Sequence, residues 1–160
     1  MREIIGDIWD FHKQLYWIVI TTNGTVKKDG RAVMGRGIAL QAIERFENLP
    51  YALARGVKEK GNIVFALWGF GLISFPVKHN WWESASLDLI EESCKQLREV
   101  ADKVLNPNSY CLEDQQTLKG KLTTIYMVRP GCGAGGLDWK DVKPILERYL
   151  DDRFIVVEKT

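Results

Sequence analysis

The sequence of 160 residues lacks long apolar runs, and it contains few cysteines. Its longest apolar stretches are interrupted by glycine or tryptophan and fall far short of the ~20 residues that cross a bilayer. The first ten residues, MREIIGDIWD, do not have the basic and then apolar order of a signal peptide. Cys94, Cys111 and Cys132 are widely spaced and form no CxxC pair, which argues against a disulfide framework and a structural zinc site. We therefore expect a cytoplasmic protein that does not bind membranes.

A strong charge of either sign is also missing. Lys and Arg number 22 against 21 for Asp and Glu, so the formal net charge is +1. This balance predicts no strong non-specific binding to nucleic acid, so any bound phosphate must be held by local groups. Apolar residues make up 46% and charged residues 27% of the chain, which excludes a disordered composition. The length suits one domain, and we predict a single domain over residues 1–160.

Several motifs of known chemistry are absent from the sequence. It has no GxSxG nucleophile elbow, no GxxxxGK[ST] loop and no HExxH pair. It also has no cluster of His and Cys residues at the spacing of metal ligands. We therefore expect neither a metal ion nor another cofactor.

Two kinds of apolar pattern alternate along the chain. Short runs rich in β-branched and aromatic residues predict strands at 3–5, 16–21, 62–67, 71–75, 122–128 and 154–157. Apolar residues at intervals of three and four predict a helix over 86–105, and a second helix is expected from Gly37 to about Phe46. A third helix is predicted after an Asp138 N-cap, and because Pro144 lies in it we expect a bend or a first turn of 3₁₀ type. The polar segment 106–121 predicts an exposed loop, either without regular structure or with a short turn of helix.

The alternation of these elements indicates the fold class. The runs 16–20 and 125–128 are almost wholly apolar, as in central strands that helices cover on both faces. Strands interleaved with helices predict a three-layer α/β/α sandwich with a central mixed sheet.

A glycine-rich loop, RPGCGAGGLD, lies between the predicted strand 122–128 and the helix after Asp138. Four glycines in six residues can turn several backbone N–H groups toward one point, and the following helix would add its positive end. The loop therefore predicts a phosphate cradle, although the glycines are equally compatible with a tight turn alone. Gly131, Gly133 and Gly136 also match GxGxxG, with Glu158 downstream. A dinucleotide-binding fold is disfavoured because too little chain follows to build its second half.

A second glycine loop, AVMGRGIA at 32–39, follows a strand through the polar insert 25–31. Gly35 and Gly37 permit a close approach of the backbone to an anionic or hydroxyl-rich group at a helix start. Arg36 is a candidate phosphate ligand or a solvated side chain. Two such loops at one sheet edge indicate an elongated, polyhydroxylated phosphate ester as ligand.

Four polar residues follow predicted strands and are candidates for chemistry. Asp7 could accept a hydrogen bond from an exocyclic amine such as that of adenine, or it could form a turn. Asn23 could orient a ribose hydroxyl or close a turn. Lys78, flanked by aromatic residues, could be partly desolvated and serve as a nucleophile or electrostatic anchor, or it could be an exposed lysine. His79 ranks below Lys78 because no Ser or Cys partner stands at a recognisable spacing.

Together, these segments resemble a macro domain, the ADP-ribose-binding module. The resemblance is carried in order along almost the whole chain by Gly6-Asp7-Ile8, Asn23, the loop 34–39 and the loop 131–136 with the following LDW. The stretches VMGRGIALQ, SFPVKHNWW and GCGAGGLDW are most similar to the branch of DNA ADP-ribosyl glycohydrolase antitoxins. The insert 25–31 and the segment near Asp114 have no counterpart that we can match, and they leave the substrate open.

The resemblance implies roles for particular residues. Asp7 and Ile8 would hold adenine, and Lys78 matches the catalytic lysine of that branch. The diphosphate would lie on the backbone of the second loop, that is on Cys132, Gly133, Ala134, Gly135 and Gly136. The distal ribose would contact Asn23, assigned a catalytic role, and Met34, Gly35, Arg36, Gly37 and Ile38 of the other loop. The protein-directed relatives carry a second catalytic aspartate where this sequence has Gly135, and this difference favours the DNA-directed branch.

The leading hypothesis is therefore binding of ADP-ribose with hydrolysis of an ADP-ribosyl linkage on DNA or protein. The same pocket could instead remove phosphate from ADP-ribose 1″-phosphate. A third possibility is a reader that binds ADP-ribose or an ADP-ribosylated partner without catalysis.

Overall fold

The structure, a computed structural model, describes residues 1–159 and is built around one six-stranded sheet. The strands are β1 (Arg2–Gly6), β2 (Trp17–Asn23), β3 (Phe65–Leu67), β4 (Leu72–Lys78), β5 (Ile125–Met127) and β6 (Phe154–Lys159). Their order across the sheet is β1-β6-β5-β2-β4-β3. Only β3 runs antiparallel to its neighbour, β4, so the sheet is mixed. Thr160, the last residue of the predicted domain, lies outside the described residues.

Helices cover both faces of the sheet. They are α1 (Ile8–Lys13), α2 (Gly37–Arg45), α3 (Leu49–Lys60), α4 (Leu87–Val104), α5 (Leu112–Thr117) and α6 (Trp139–Tyr149). Apolar residues of α4 and α6 pack against one face, and those of α1, α2 and α3 pack against the other. The predicted three-layer α/β/α sandwich with a mixed sheet is thus observed. No helix within residues 1–159 is long and apolar enough to cross a membrane.

The elements with the clearest sequence signals are those that the core buries most completely. Every residue of β4 is buried, and the first four residues of β2 are buried as well. Helix α4 begins where Ser86 accepts a hydrogen bond from the N–H of Leu89 at 3.2 Å. Its inner face consists of buried residues at the predicted intervals of three and four: Ile90, Cys94, Leu97, Ala101 and Val104. Leu87, which falls at the same spacing and was expected on this face, is instead exposed at the start of the helix.

Other elements differ from the prediction. Helices α1 and α3 were not predicted, and the strands predicted at 62–67 and 122–128 are shortened to β3 and β5. Pro144 lies inside α6, and the first turn of that helix contains a 3₁₀-type bond of the expected kind, from the N–H of Asp141 to the Asp138 carbonyl at 3.0 Å. The segment 106–121 follows the alternative with helical turns, because it contains a 3₁₀ turn at Pro107–Ser109 and the short helix α5.

The topology explains why the two glycine loops meet. Strands β2 and β5 are parallel neighbours in the sheet, so their carboxyl ends lie at the same edge. The chain leaves β2 toward α2 on one face and leaves β5 toward α6 on the opposite face. Such a reversal opens a crevice between the two strand ends, which is the usual ligand site of open α/β sheets. The strand order also differs from that of a dinucleotide-binding fold, in agreement with the sequence analysis.

Candidate functional site

A cavity of about 1020 Å³ lies at this crevice, along the carboxyl ends of the parallel strands. It is lined by the chain after β1, by the ends of β2, β4 and β6, and by both glycine loops. The predicted site residues that line it are Asp7, Ile8, Asn23, Met34, Gly35, Arg36, Gly37, Ile38, Lys78, Cys132, Gly133, Ala134 and Gly135. Gly136 is the predicted site residue that does not line it, and its N–H donates to the Gly133 carbonyl at 3.1 Å.

The second glycine loop presents free backbone donors to the cavity. Within residues 1–159, no group accepts a hydrogen bond from the N–H of Gly133, Ala134 or Gly135. The loop is closed behind them, because the N–H of Leu137 donates to the Gly131 carbonyl at 2.9 Å. Three successive unpaired amides at a cavity wall can donate hydrogen bonds to an anion such as phosphate.

The predicted contribution of the α6 N-terminus to this cradle is not observed. The Asp138 carboxylate already caps α6, where it accepts from the N–H of Lys140 at 3.1 Å. The cavity lining ends at Gly135, so neither Asp138 nor the first turn of α6 reaches it. A carboxylate at the helix start also opposes a second anion there, so the cradle depends on the loop amides alone.

The first glycine loop supplies a helix N-terminus instead. No side chain caps α2, and no group within residues 1–159 accepts from the N–H of Gly35, Arg36 or Gly37. Gly37 has a φ of 58°, a left-handed conformation that glycine adopts without strain. The loop is anchored where the N–H of Val33 donates to the Thr25 carbonyl at 3.0 Å. This side of the cavity therefore also offers unpaired donors and a positive helix end.

Asn23 and Lys78 are neighbours across the sheet at the base of the cavity. They are paired in register where a β-bulge shifts the alignment of β2 with β4. The Asn23 amide already donates to the Val33 carbonyl at 3.0 Å and accepts from the N–H of Thr25 at 2.9 Å. It thus fixes the first glycine loop, and one amide hydrogen remains for a ligand.

Lys78 is buried, with 9% of its surface exposed, and its side chain lines the cavity. No carboxylate or other acceptor within residues 1–159 pairs with its ammonium group. Although most of the residue is buried, Nζ itself is not shut off from solvent, so the cavity leaves this ammonium group free to contact a ligand. The following residue, His79, is exposed and lies outside the cavity lining.

Asp7 combines a structural contact with a place at the cavity. It is the N-cap of α1, where its Oδ1 accepts from the N–H of Trp9 at 3.0 Å. The turn-forming interpretation of this residue is therefore correct, but the carboxylate remains exposed and lines the cavity. Its second oxygen has no hydrogen-bond partner within residues 1–159, so it is available to accept from a ligand amine.

The cysteines are not arranged for nucleophilic chemistry. Burial raises the pKa of the Cys132 thiol, and the Arg129 charge only partly opposes this effect. Burial raises the pKa of Cys94 in the core to about 12. Both groups are protonated thiols near neutral pH and are therefore weak nucleophiles. No group of three or more potential metal ligands occurs in residues 1–159.

The sequence analysis missed several residues of the cavity. One end is lined by Trp9, Gln41, Glu44 and Arg45, and there the Arg45 guanidinium lies 4.0 Å from the centroid of the Trp9 ring. The end of β6 and the residues Lys27, Trp81 and Arg129 also line the cavity. A parallel order of the strands would have predicted that the end of β6 lines the cavity, because it lies at the same edge of the sheet as the other strand ends. Nothing in the sequence around the remaining residues indicates that they belong to a cavity.

A charged cluster fixes both ends of the second glycine loop. Arg129 before the loop lies over the ring of Trp139, the first residue of α6, at 5.0 Å. Trp139 Nε1 donates to Glu3 Oε1 at 3.0 Å, and Lys143 Nζ lies 2.7 Å from Glu3 Oε2. Arg129 also pairs with Glu158 at 3.2 Å. Glu3 on β1 thereby ties the loop ends to the sheet.

We expect acid to weaken this cluster. The hydrogen bond from Lys143, followed by that from Trp139, holds the pKa of Glu3 below its ordinary value of 4.5. The carboxylate therefore stabilises the fold above that pH, and the contribution is lost as pH falls through the lowered pKa. Urea unfolding should show a smaller loss of stability between pH 6 and acidic pH for Glu3→Gln than for the unmodified protein. Glu47→Gln, at an exposed position outside any ion pair within residues 1–159, should leave that loss unchanged.

The fold was compared with solved structures. The chain aligns with the macrodomain of Mycobacterium tuberculosis DarG at a TM-score of 0.67 and 22% identity, covering 99% of this chain and 97% of that one. The macrodomain of Thermus aquaticus DarG gives a TM-score of 0.65 at 20% identity, with 99% and 97% covered. Thermosipho africanus DarTG in complex with ADP-ribose gives 0.64 at 20% identity, where all of this chain matches 42% of that chain. The sequence matches no protein-family model and no curated protein. The fold expected from the sequence resemblance is confirmed, and the chain has the macrodomain fold.

Proposed function

We propose that this protein binds ADP-ribose in the cavity and hydrolyses an ADP-ribosyl linkage. The observation that carries the proposal is that two groups of unpaired backbone amides, from 35–37 and 133–135, line one cavity with the unpaired cation of Lys78. A diphosphate between two sugars matches that set of donors. The solved Thermosipho africanus DarTG, which shares the fold, is in complex with ADP-ribose and thus supports the same ligand class.

The cavity residues suggest one orientation of the ligand. Adenine would lie at the end formed by Asp7 and Ile8, with its exocyclic amine donating to the free carboxylate oxygen. The diphosphate would accept from the amides of 133–135. The distal ribose would lie between the first glycine loop and the strand ends that carry Asn23 and Lys78. This order follows the sheet edge from β1 through β5 and β2 to β4.

The chemistry in this orientation is the replacement of one bond at the anomeric carbon. The bond from C1″ of the distal ribose to the leaving group breaks, a water oxygen joins C1″, and the leaving group takes up a proton. The developing charge of the sugar resembles an oxocarbenium ion. Lys78 would either attack C1″ through its amine nitrogen, forming a C1″–N bond as the leaving group departs and losing that bond when water attacks C1″, or place its positive charge beside the departing group. Asn23 and the loops would hold the ribose in place.

The leaving group is proposed to be a nucleobase of DNA. This choice depends on the resemblance of the two loops and the Lys78 segment to the DNA-directed branch, and on Gly135 at the place of a second catalytic aspartate. A side chain of a modified protein is the alternative leaving group. The other two alternatives predict different products: a phosphatase would release inorganic phosphate from ADP-ribose 1″-phosphate, and a reader would release nothing.

Calorimetric titration tests the ligand. ADP-ribose should bind at least tenfold more tightly than ADP, AMP or NAD, because only ADP-ribose places a free distal ribose between the first glycine loop and Lys78. AMP lacks both the second phosphate and the distal ribose, and it should bind most weakly. Equal affinity for ADP and ADP-ribose would contradict the proposed distal-ribose site, and the absence of binding by all four ligands would contradict the proposed function.

A further inference from the structure

Two exposed tryptophans stand at the rim of the cavity, shortly after Lys78. Trp81 is 49% exposed and lines the cavity, whereas Trp82 is 65% exposed and lies just outside the lining. Their rings meet edge to face, with centroids 6.0 Å apart and an interplanar angle of 90°. In this arrangement the rings do not cover each other face to face. Adjacent exposed aromatic rings beside a ligand cavity indicate a contact surface.

The backbone beneath this tryptophan pair is fixed. The N–H of Trp81 donates to Thr25 Oγ1 at 3.0 Å, and the N–H of Gly24 donates to the His79 carbonyl at 3.1 Å. The turn is closed where the N–H of Glu83 donates to the Asn80 carbonyl at 3.2 Å. The main chain that carries the two rings is therefore held in place before any partner binds, which lowers the cost of ordering this segment in an interaction.

The rim around the tryptophan pair is cationic. Lys27 lines the cavity, and Lys28 is exposed beside it on the same insert. Neither lysine forms an ion pair within residues 1–159, whereas the neighbouring Asp29 is already paired with Arg31 at 2.7 Å. Glu83 accepts from the neutral Asn80 amide at 2.8 Å and keeps its negative charge. The insert 25–31 carries Lys27, Lys28 and Arg31 against Asp29, so its net charge is positive, and it adjoins Trp81 through Thr25.

We propose that Trp82 forms an outer subsite, which stacks the unmodified nucleobase next to the base that carries ADP-ribose in a single strand of DNA. The inference rests on the proposed function, in which Lys78 marks the bond that breaks. Because Trp81 lines the cavity three residues after Lys78, we place the leaving group on its side. Trp81, at the cavity wall, then contacts the modified base, and Trp82, farther out, contacts its neighbour. Lys27 and Lys28 lie beside the connecting phosphates. A single strand is required because the bases of a duplex already stack on each other.

Nucleic acid fits this surface better than a peptide does. Free ring faces match flat bases, and unpaired lysines match phosphates, whereas an ordinary peptide offers neither feature regularly. The number of lysines is small, so binding should depend only weakly on salt. This agrees with the net charge of +1, which provides no long-range attraction to DNA.

The test compares two ligands that differ only beyond the modified base. These are an ADP-ribosylated mononucleotide and an ADP-ribosylated single-stranded trinucleotide, titrated against the full chain with Lys78→Ala to prevent turnover. The trinucleotide should bind about tenfold more tightly, the fold-change expected for one stacked base. Trp82→Ala should remove most of this advantage, and Trp82→Phe should retain part of it.

A matched control separates this subsite from a general effect of removing an exposed ring. Trp68 is 49% exposed and lies at the opposite edge of the sheet, outside the cavity lining. Trp68→Ala should preserve the full trinucleotide advantage. Three results would each overturn the subsite. The first is equal affinity for the mononucleotide and the trinucleotide, and the second is a trinucleotide advantage that survives Trp82→Ala. The third is tighter binding of an ADP-ribosylated peptide than of the trinucleotide. Failure of free ADP-ribose to bind would instead overturn the proposed function, so the two failures are distinguishable.

Discussion

Replacing Lys78 with alanine should lower turnover of an ADP-ribosylated oligonucleotide at least 100-fold, while the affinity for free ADP-ribose stays within about threefold. Lys78 is a mostly buried residue whose ammonium group has no partner within residues 1–159, and the proposed orientation places it at the anomeric carbon. The diphosphate and adenine contacts are made by other elements, so binding should survive. Measured kcat and a calorimetric Kd for ADP-ribose provide the two readouts.

Two further variants refine this expectation. Lys78→Met keeps most of the side-chain volume and removes the charge, so loss of activity in both variants would not be attributable to a packing defect. Lys103→Ala, an exposed lysine of α4, should leave both kcat and Kd unchanged. Unchanged turnover in Lys78→Ala would exclude this lysine from the reaction. Equal losses of turnover and affinity would assign it to binding rather than to chemistry.

The products of the unmodified protein distinguish the rival reactions. Release of ADP-ribose from modified DNA supports the hydrolase, whereas release of inorganic phosphate from ADP-ribose 1″-phosphate supports the phosphatase. If neither product forms and ADP-ribose still binds, the protein is a reader. The unpaired Lys78 ammonium group at the proposed linkage favours the first outcome, because it can assist the departure of the leaving group.

Replacing Gly135 with alanine should destabilise the protein and impair ligand binding together. A Cβ atom at this position would lie 2.5 Å from the Gly131 carbonyl oxygen and 2.7 Å from the Ala85 Cβ, closer than van der Waals contact permits. Because the first of these neighbours is backbone, the loop itself must shift. We expect a loss of ~1–3 kcal/mol in the free energy of unfolding. ADP-ribose affinity should fall at least tenfold, because the amides of 133–135 would move from their positions.

Gly133 offers a matched control in the same loop. A Cβ atom there meets no other atom within 4 Å, and neither Gly133 nor Gly135 has a positive φ. Gly133→Ala should therefore change the free energy of unfolding by less than about 0.5 kcal/mol. Urea unfolding of the ligand-free variants makes the comparison independent of binding. Equal stability of the two variants would show that the loop tolerates a methyl group at 135 and would contradict the proposed rigid cradle.

Much of the fold was predictable because its signals are local. Helix α4 has an apolar stripe and a serine cap, and β2 and β4 have continuous apolar runs. Helix α3 was missed because Gly56 reduces its local helix propensity, whereas Pro50 lies in the first turn, where proline is tolerated. Gly56 is required by a distant element: a Cβ there would lie 2.3 Å from the Phe65 ring of β3. Packing against the sheet thus overrides the local preference of this segment.

Candidate site residues were predictable where residue type and strand end coincide. Asp7, Asn23, Lys78 and both glycine loops could be named, because polar residues and glycines after apolar strands are visible in one dimension. The sequence predicted that Asp138 caps α6 and that Asn23 could close a turn. It did not show that these contacts occupy groups that a ligand would otherwise bind. Hydrogen-bond partners depend on the exact approach of segments, which residue spacing does not specify.

The sequence by itself determined the class of fold, the two glycine loops and the polar residues at strand ends, because each depends on neighbours within a few positions. The tertiary structure alone decided that both loops border one cavity, since that requires β2 and β5 to be adjacent and parallel. It also decided that Arg129 and Trp81 line the cavity beside the two loops. Arg129 is held by its ion pair with Glu3 of β1, and Trp81 by the hydrogen bond from its N–H to Thr25 of the insert. These contacts join residues far apart in the chain, and their formation is fixed by the order of strands in the sheet.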